Sequence, residues 1–391
     1  MKVLCMAQMS GTSALGQVMR VIAVAKALRH KGHEVKFLAG DKISDVVKNH
    51  QLEVIEASPL PKINISFNNL AEYEGHREEI MSYVKEVIKH ISEEEKSVIV
   101  AEKPDVLLSG NLTGPLTAKT LGLPNVFIFL QPHGEKTVEL FTRRMTEPIK
   151  KHIGQVIMAA NLLLMEGMPE LGGDEFAADA EQWTGLKDKI RFTGPLLAEQ
   201  PEQLPEQAEL KQRHAGTQER PLVYVTIGGG TPLIGESFLR LVLDMFRQLP
   251  EVQGLIATGL ALAPDRLTDG NLPENVLVRG FVPGTELVKA SDVTVFHGGS
   301  STLMTCIACG TPAVVVPSMA EQEDNGAVLA QNKAGIMLDK QDLSAAGLAE
   351  AIRKILSDSE FKANAQRLKA IGDQYGGPPA AAAMIEALLG E

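Results

Sequence analysis

Val293 to Leu338 constrains the fold of this chain more than any other stretch. It reads VTVFHGGSST, then LMTCIACGTPAVVVP, then SMAEQEDNGAVLAQNKAGIML. Val293–Phe296 is a short apolar run with the pattern of a buried parallel strand. It breaks at His297-Gly298-Gly299, where two glycines allow a sharp turn and a ligand close to the backbone. Ser300, Ser301 and Thr302 are good N-caps, so a helix is expected to open there. Leu303, Ile307 and Ala308 give that helix an apolar face, and Gly310 suits its C-terminal stop. Thr311-Pro312 resets the chain, and Ala313–Val316 is a second buried strand. The result is a βαβ unit whose first loop ends at a helix N-terminus. Unpaired N–H groups and the positive end of the helix dipole suit phosphate at such a place. Glu321–Asn325 is expected as a polar loop after the second strand, followed by a helix with Gly335 as its C′ residue.

A length of 391 residues calls for two domains, and 44% hydrophobic residues is enough for two ordinary cores. A net charge of −11 argues against a nucleic-acid partner, which needs a basic face. The sequence has no run of about twenty apolar residues that could span a membrane. Met1-Lys2 leads straight into a strand-like Val3–Ala7 with no signal-peptide pattern, so a cytoplasmic location is expected. Cys5, Cys306 and Cys309 form no disulfide framework, which fits a reducing compartment. Cys306 and Cys309 have redox spacing, but they fall at the negative end of a helix, where a thiolate is disfavoured. Buried structural thiols are expected, and the sequence has no second pair to complete a zinc site.

The rest of the chain alternates in the same way. After Val3–Ala7 and a loop to Gly16, Val18, Val21, Ile22, Ala25 and Leu28 mark one helical face ending at Gly32. Glu34–Leu38, Val106–Leu108 and Asn125–Leu130 are strands, and Ala71–Val100 and Gly114–Leu121 are helices. The charged stretch from Glu72 to Glu95 needs no function beyond being a helix. Lys136–Ile153 mixes Lys136, Arg143, Arg144, Lys150 and Lys151 with apolar residues and is expected as a solvated helix face. The alternative for it is a membrane-surface or lipid-acceptor patch. Ile190–Leu197 closes the first half, and Ala198–Arg220, rich in Gln, Glu and Pro, is expected to be a linker. Strands resume at Pro221–Ile227, ahead of Gly228-Gly229-Gly230-Thr231, with Gly254–Thr258 and Val276–Arg279 after them. A helix begins near Glu236, and the chain from Leu343 onward is largely helical. Two doubly wound α/β domains facing each other are predicted, with ligands beyond the carboxyl ends of the strands. The expected boundaries are 1–200, a linker at 201–220, 221–372, and a last helix at 373–391 that folds back on the first domain. Gly228–Thr231, Phe281–Gly284, His297–Thr302 and Glu321–Asn325 should converge on one cleft.

The pattern FVPGTELVKASDVTVFHGGSST followed by GTPAVVVPSMAEQEDN resembles the inverting nucleotide-sugar glycosyltransferases of GT-B fold, the macrolide, antibiotic and plant-type enzymes. The match is strong over about Gly280–Leu338 and weaker over VMRVIAVAKALRHKGHEVKFLAG and IRFTGPL. The resemblance implies a UDP- or dTDP-sugar donor held without metal or other cofactor, and transfer of a hexose or deoxyhexose to a small hydrophobic natural product. It implies diphosphate contacts from His297, Gly299, Ser301 and Thr302, with Gly229 and Gly230 across the cleft. It places Phe281 on the base, Val282 on the base's polar edge, and Glu321 and Gln322 on the sugar hydroxyls. Retaining GT-B enzymes carry two glutamates eight positions apart, where this chain has His297 and Thr305, which favours inversion.

The chain also departs from that pattern. Thr305 stands where many UDP-sugar enzymes have a ribose-binding Glu, which fits a deoxyribose at least as well. Gly284 replaces the usual Gln beside the base. Gln17 occupies the position of the usual catalytic His, and an amide cannot take a proton near neutral pH. The position near Gly110 where its Asp partner is expected is not Asp either. His133 and Glu135, at a strand end, are the alternative bases, with His133 preferred. A non-catalytic auxiliary subunit and a transferase with a membrane-lipid acceptor are the competing expectations. The expected state is a monomer or homodimer.

Overall fold

The computed structural model of the chain describes residues 1–6, 15–61, 77–139, 147–172, 186, 188–227, 236–259, 262–267, 272–339 and 343–390. The first half runs β1 (Lys2–Met6), α1 (Leu15–His30), β2 (Glu34–Ala39), α2 (Asp41–Asn49), β3 (Glu53–Glu56), α3 (Arg77–Glu102) and β4 (Val106–Ser109). It continues through α4 (Gly114–Thr120), β5 (Asn125–Leu130), α5 (Glu135–Glu139), α6 (Glu147–Ala159), β6 (Leu162–Glu166) and β7 (Ile190–Gly194). After α7 (Gln207–Ala215) the second half runs β8 (Leu222–Thr226), α8 (Glu236–Arg247), β9 (Gln253–Ala257), β10 (Val276–Arg279), α9 (Gly284–Ala290) and β11 (Val293–Phe296). It then runs α10 (Ser300–Cys309), β12 (Ala313–Val315), α11 (Ala320–Gln331) and β13 (Gly335–Met337). The chain ends in α12 (Ala345–Ser357), α13 (Ser359–Asp373) and α14 (Gly377–Gly390).

The strands form two sheets, in the orders β3-β2-β1-β4-β5-β6-β7 and β10-β9-β8-β11-β12-β13. Every pairing between these strands is parallel. Parallel sheets need cover on both faces, which explains why β4, β6, β8, β9 and β11 are buried along their whole length. Strand order reverses between β1 and β4, and again between β8 and β11. These are the two topological switch points at which doubly wound sheets open a crevice. α14 returns to the first half: Ala381, Ala382 and Ile385 join the core of Val18, Val21 and Ile22, and Glu386 pairs with Lys31 at 2.5 Å and His33 at 2.7 Å.

Several expectations need correction. Glu321–Asn325 is not a loop but the opening of α11. The left-handed residue after that helix is Lys333 (φ 49°), not Gly335. Gly335 instead starts β13, where a Cβ would come within 2.4 Å of the Ala313 carbonyl oxygen. Ala198–Arg220 contains α7, whose buried positions are Leu210, Lys211 and Ala215. Lys211 pairs with Asp292 at 2.6 Å and His214 shares a hydrogen bond of 2.6 Å with Glu286, while Leu210 and Ala215 join the core that holds Leu287, Val288 and Ala290. Lys136–Ile153 contributes to two helices, α5 and α6. Arg143 and Arg144 lie outside the described residues. Cys306 and Cys309 are buried, and burial pushes both thiols up, Cys309 to about 12, as expected of inert structural cysteines.

Candidate active site

Because each sheet is parallel, the loops that follow its strands leave from one edge. β11 delivers His297-Gly298-Gly299 to that edge, and β12 delivers Ser318 and the first turns of α11. Gly298 has φ 90°, and a Cβ on it would lie 2.6 Å from the Gln322 carbonyl oxygen, so only glycine lets the two loops pass this closely. A Cβ on Gly299 would meet His297 Nε2 at 2.6 Å, so the imidazole lies over this glycine. No side chain caps α10, which leaves the N–H groups of its first turn available to an anion. Ser300 Oγ donates to Glu321 Oε1 at 2.6 Å, tying the start of α10 to the start of α11. His297 Nδ1 is buried without a partner. Burial lowers the pKa of His297 against the opposing pull of Glu321, so the ring is neutral near pH 7.

The first half meets this edge directly. His133, buried just after β5, shares a hydrogen bond of 2.9 Å between its Nδ1 and Asn325 Oδ1. Asn325 Nδ2 donates to the Gly298 carbonyl at 2.8 Å and to Ser300 Oγ at 3.2 Å, so its Oδ1 is the acceptor. The network therefore assigns the His133 proton to Nδ1 and leaves the lone pair on Nε2, which is buried and unpartnered. Burial lowers the pKa of His133, opposed by the Asn325 bond and by the charges of Glu321 and Asp324. Beside it, Thr137 donates to Asp324 Oδ2 through both its N–H and its Oγ1, each at 2.6 Å, and Lys136 pairs with Glu323. At the other end of the cleft, a Cβ on Gly16 would lie 2.5 Å from Ser301 Oγ. The starts of α1 and α10 are thus in contact.

His133, His297, Glu321, Gln322 and the α10 N-terminus with Gly299, Ser301 and Thr302 lie together. Gln322 is almost fully buried, and its Oε1 takes the Ser318 N–H at 2.9 Å and the Ser318 hydroxyl at 2.8 Å. Thr305 turns its hydroxyl back to the Ser301 carbonyl at 2.8 Å. Phe281 follows β10, three strand positions from β11, or about 14 Å at the usual spacing. It is 73% exposed, while Val282 is half-buried against the core. Gln17 donates to the Ile128 carbonyl at 2.7 Å and braces β5. Gly229 and Gly230 lie outside the described residues. Among the described residues no cluster of His, Cys, Asp or Glu has a metal-ligating arrangement.

Three contacts escaped the sequence. Asp324 and Thr137 meet only in the fold. Glu95, on the charged helix α3, is fully buried and accepts from Asn111 Nδ2 at 2.9 Å, Thr113 Oγ1 at 2.7 Å and Thr117 Oγ1 at 2.7 Å. Its place between buried Val87, Ile91 and Ile99, at steps of four, was a readable signal. Arg20 and Glu166 form a buried ion pair at the other end of the cleft.

Residues 247–387 match the family model described as erythromycin biosynthesis protein CIII-like, C-terminal domain. The NDP-glycosyltransferase YjiC of Bacillus subtilis (strain 168) is 24% identical over 387 residues, covering 96% of this chain and 95% of that protein. Among solved structures, the glycotransferase of kitacinnamycin has a TM-score of 0.74 at 19% identity, covering 99% of each chain. Spinosyn rhamnosyltransferase SpnG, complexed with thymidine diphosphate, has a TM-score of 0.70 at 22% identity, covering 99% of this chain and 100% of that one. Two doubly wound halves in contact at their strand ends are the GT-B fold. Along nearly its whole length the chain is thus similar to glycosyltransferases, and it shares their fold.

Proposed function

We propose that this protein is an inverting, metal-independent glycosyltransferase that moves a hexose or deoxyhexose from a UDP- or dTDP-sugar to a small apolar natural product. The observation that carries the proposal is the uncapped N-terminus of α10, preceded by Gly298-Gly299 and by the unpartnered Nδ1 of His297. Fixed N–H donors there can take up the charge that grows on the leaving diphosphate, the task a metal performs elsewhere. Phe281 stacks on the base, Val282 meets its edge, Thr305 lies by the ribose, and Glu321 and Gln322 serve the sugar. His133 is the base. Its Nε2 takes the proton of the acceptor hydroxyl as that oxygen attacks the anomeric carbon, and the carbon–oxygen bond to the diphosphate breaks on the opposite face. A neutral, half-partnered imidazole near Asn325 and Glu321 supports this role, and Gln17 is spent on β5. The thymidine diphosphate bound by SpnG supports a dTDP-type donor.

A thermal-shift panel of UDP, dTDP and their sugars tests the donor site. Uridine or thymidine diphosphate should raise the melting temperature, and His297→Ala should abolish most of that rise. No stabilisation by any nucleoside diphosphate would sink the proposal.

A further inference from the structure

Arg20 sits one turn into α1 and is 3% exposed, on a helix face otherwise filled by Val18, Val21, Ile22 and Val24. Packing gives no reason for an arginine there. Its Nε donates to Glu166 Oε2 at the end of β6, and Glu166 Oε1 takes the Leu196 amide at 2.9 Å. Glu166 therefore has both oxygens engaged and holds the guanidinium from its Nε side. Nη2 is buried and has no partner. An unpaired charged donor in the interior is costly, and its persistence calls for a ligand. The Nη1 side of the guanidinium lies beside Gly16. A Cβ on Gly16 would come within 3.1 Å of Arg20 Nη1 and 2.5 Å of Ser301 Oγ, so the guanidinium and the first turn of α10 border the same glycine-sized gap.

We infer that Arg20 is a diphosphate-binding residue, donating from its Nη groups to the phosphate that sits at the N-terminus of α10. The inference rests on the donor reading above and adds what that reading lacks. The N–H groups of α10 and a neutral His297 supply dipoles, whereas a departing nucleoside diphosphate gains full charge. Arg20 supplies a permanent cation with a planar fork matched to phosphate oxygens. The Arg20–Glu166 pair turns its positive end to α10 and its negative end to the body of the first half. Since Arg20 belongs to the first half and α10 to the second, a phosphate bound by both also joins the halves.

The test is calorimetric binding of UDP and dTDP beside uridine and thymidine, which lack phosphate. The variants are Arg20→Met paired with Glu166→Gln, so that no buried carboxylate is left uncompensated, and Arg20→Lys alone. The paired variant should lose about 10- to 100-fold in diphosphate affinity, the loss expected for a charge-assisted bond, and bind the nucleosides as the wild type does. Arg20→Lys should lose about fivefold, again for the diphosphates alone, and it decides the matter if the paired variant does not fold. Equal losses for diphosphate and nucleoside would make Arg20 a structural residue and overturn the inference, as would no loss at all. If wild-type protein binds nucleosides but gains nothing from their phosphates, the inference and the diphosphate part of the donor reading fall together. If diphosphates bind tightly and the Arg20 variants match the wild type, only this inference fails.

Discussion

Lowering the pH from about 7.5 to about 5.5 tests the two site histidines without any substrate. Burial lowers the pKa of both His133 and His297, and the charge of Glu321 on each ring, joined at His133 by Asn325 and Asp324, opposes that shift without cancelling it. In the unfolded chain a histidine titrates near about 6.5. Below that pH the unfolded state binds protons that the native state refuses. Their contribution to stability is therefore complete above about pH 6.5 and is lost as the pH falls toward the folded values. A histidine whose folded pKa lies well below about 5.5 forfeits about 1.4 kcal/mol at that pH, so the pair sets a ceiling of about 2.8 kcal/mol. His50, also lowered by burial, adds loss of the same sign. Glu95 is raised by burial, so its contribution falls as pH rises, the opposite sign. Both are common to wild type and variant, so the comparison isolates the site. Urea unfolding of the wild type and of the paired His133→Gln, His297→Gln variant at the two pH values should show the wild type losing more, up to that ceiling of about 2.8 kcal/mol. Equal losses would refute the neutral, buried state of these rings, and with it the free lone pair on His133 Nε2.

Three substitutions probe the cleft separately. Phe281→Ala removes a ring that is 73% exposed, so stability should hold within about 0.5 kcal/mol while dTDP and UDP binding weakens about tenfold by calorimetry. Unchanged affinity would take Phe281 out of the base site. Gly298→Ala puts a Cβ 2.6 Å from the Gln322 carbonyl oxygen at φ 90° and should cost about 1–3 kcal/mol in urea unfolding, with nucleotide binding lost in parallel. Asp324→Ala deprives the Thr137 N–H and hydroxyl of their shared acceptor and should cost about 2–4 kcal/mol. Small-angle scattering should then give a larger radius of gyration, and an unchanged radius would mean that this contact does not hold the halves together.

The fold was legible wherever one face of an element is apolar and its ends carry turn residues. Val293–Phe296 and Asn125–Leu130 have the expected bounds because each is a continuous apolar run closed by polar or glycine residues. Gly310 ends α10 in the left-handed region, as its position implied. β6 was illegible because Leu162–Met165 continues the apolar character of Val156–Met158, and only the turn at Ala160-Asn161 separates helix from strand. The opening of α11 read as a loop because its polar residues are the buried ones. Gln322, Asp324 and Asn325 bind neighbouring loops and the first half instead of filling a core. α7 failed the same periodicity test for a related reason, since a buried lysine paired to Asp292 carries no hydrophobic signal.

The site was legible only as far as local pattern reaches. A glycine turn leading into a helix can be read within a few residues, so this end of the candidate site was visible, although the Ser and Thr expected as caps leave the helix uncapped. The His133–Asn325 bond joins positions 192 residues apart, and nothing in either neighbourhood specifies the other. Gln17 shows what such a gap conceals. In sequence it is a lost base, a defect at the start of α1. In the fold its amide braces Ile128 on β5, the strand that runs directly into the loop carrying His133. The residue expected at the usual base position and the residue proposed to act as base are thus coupled through one strand. If Gln17 serves that strand, Gln17→Ala should disturb the position of His133 without removing a proton acceptor. Activity should then fall while the pH at which it half-develops stays the same. A shift of that pH with the substitution would instead mean that Gln17 helps set the basicity of the imidazole.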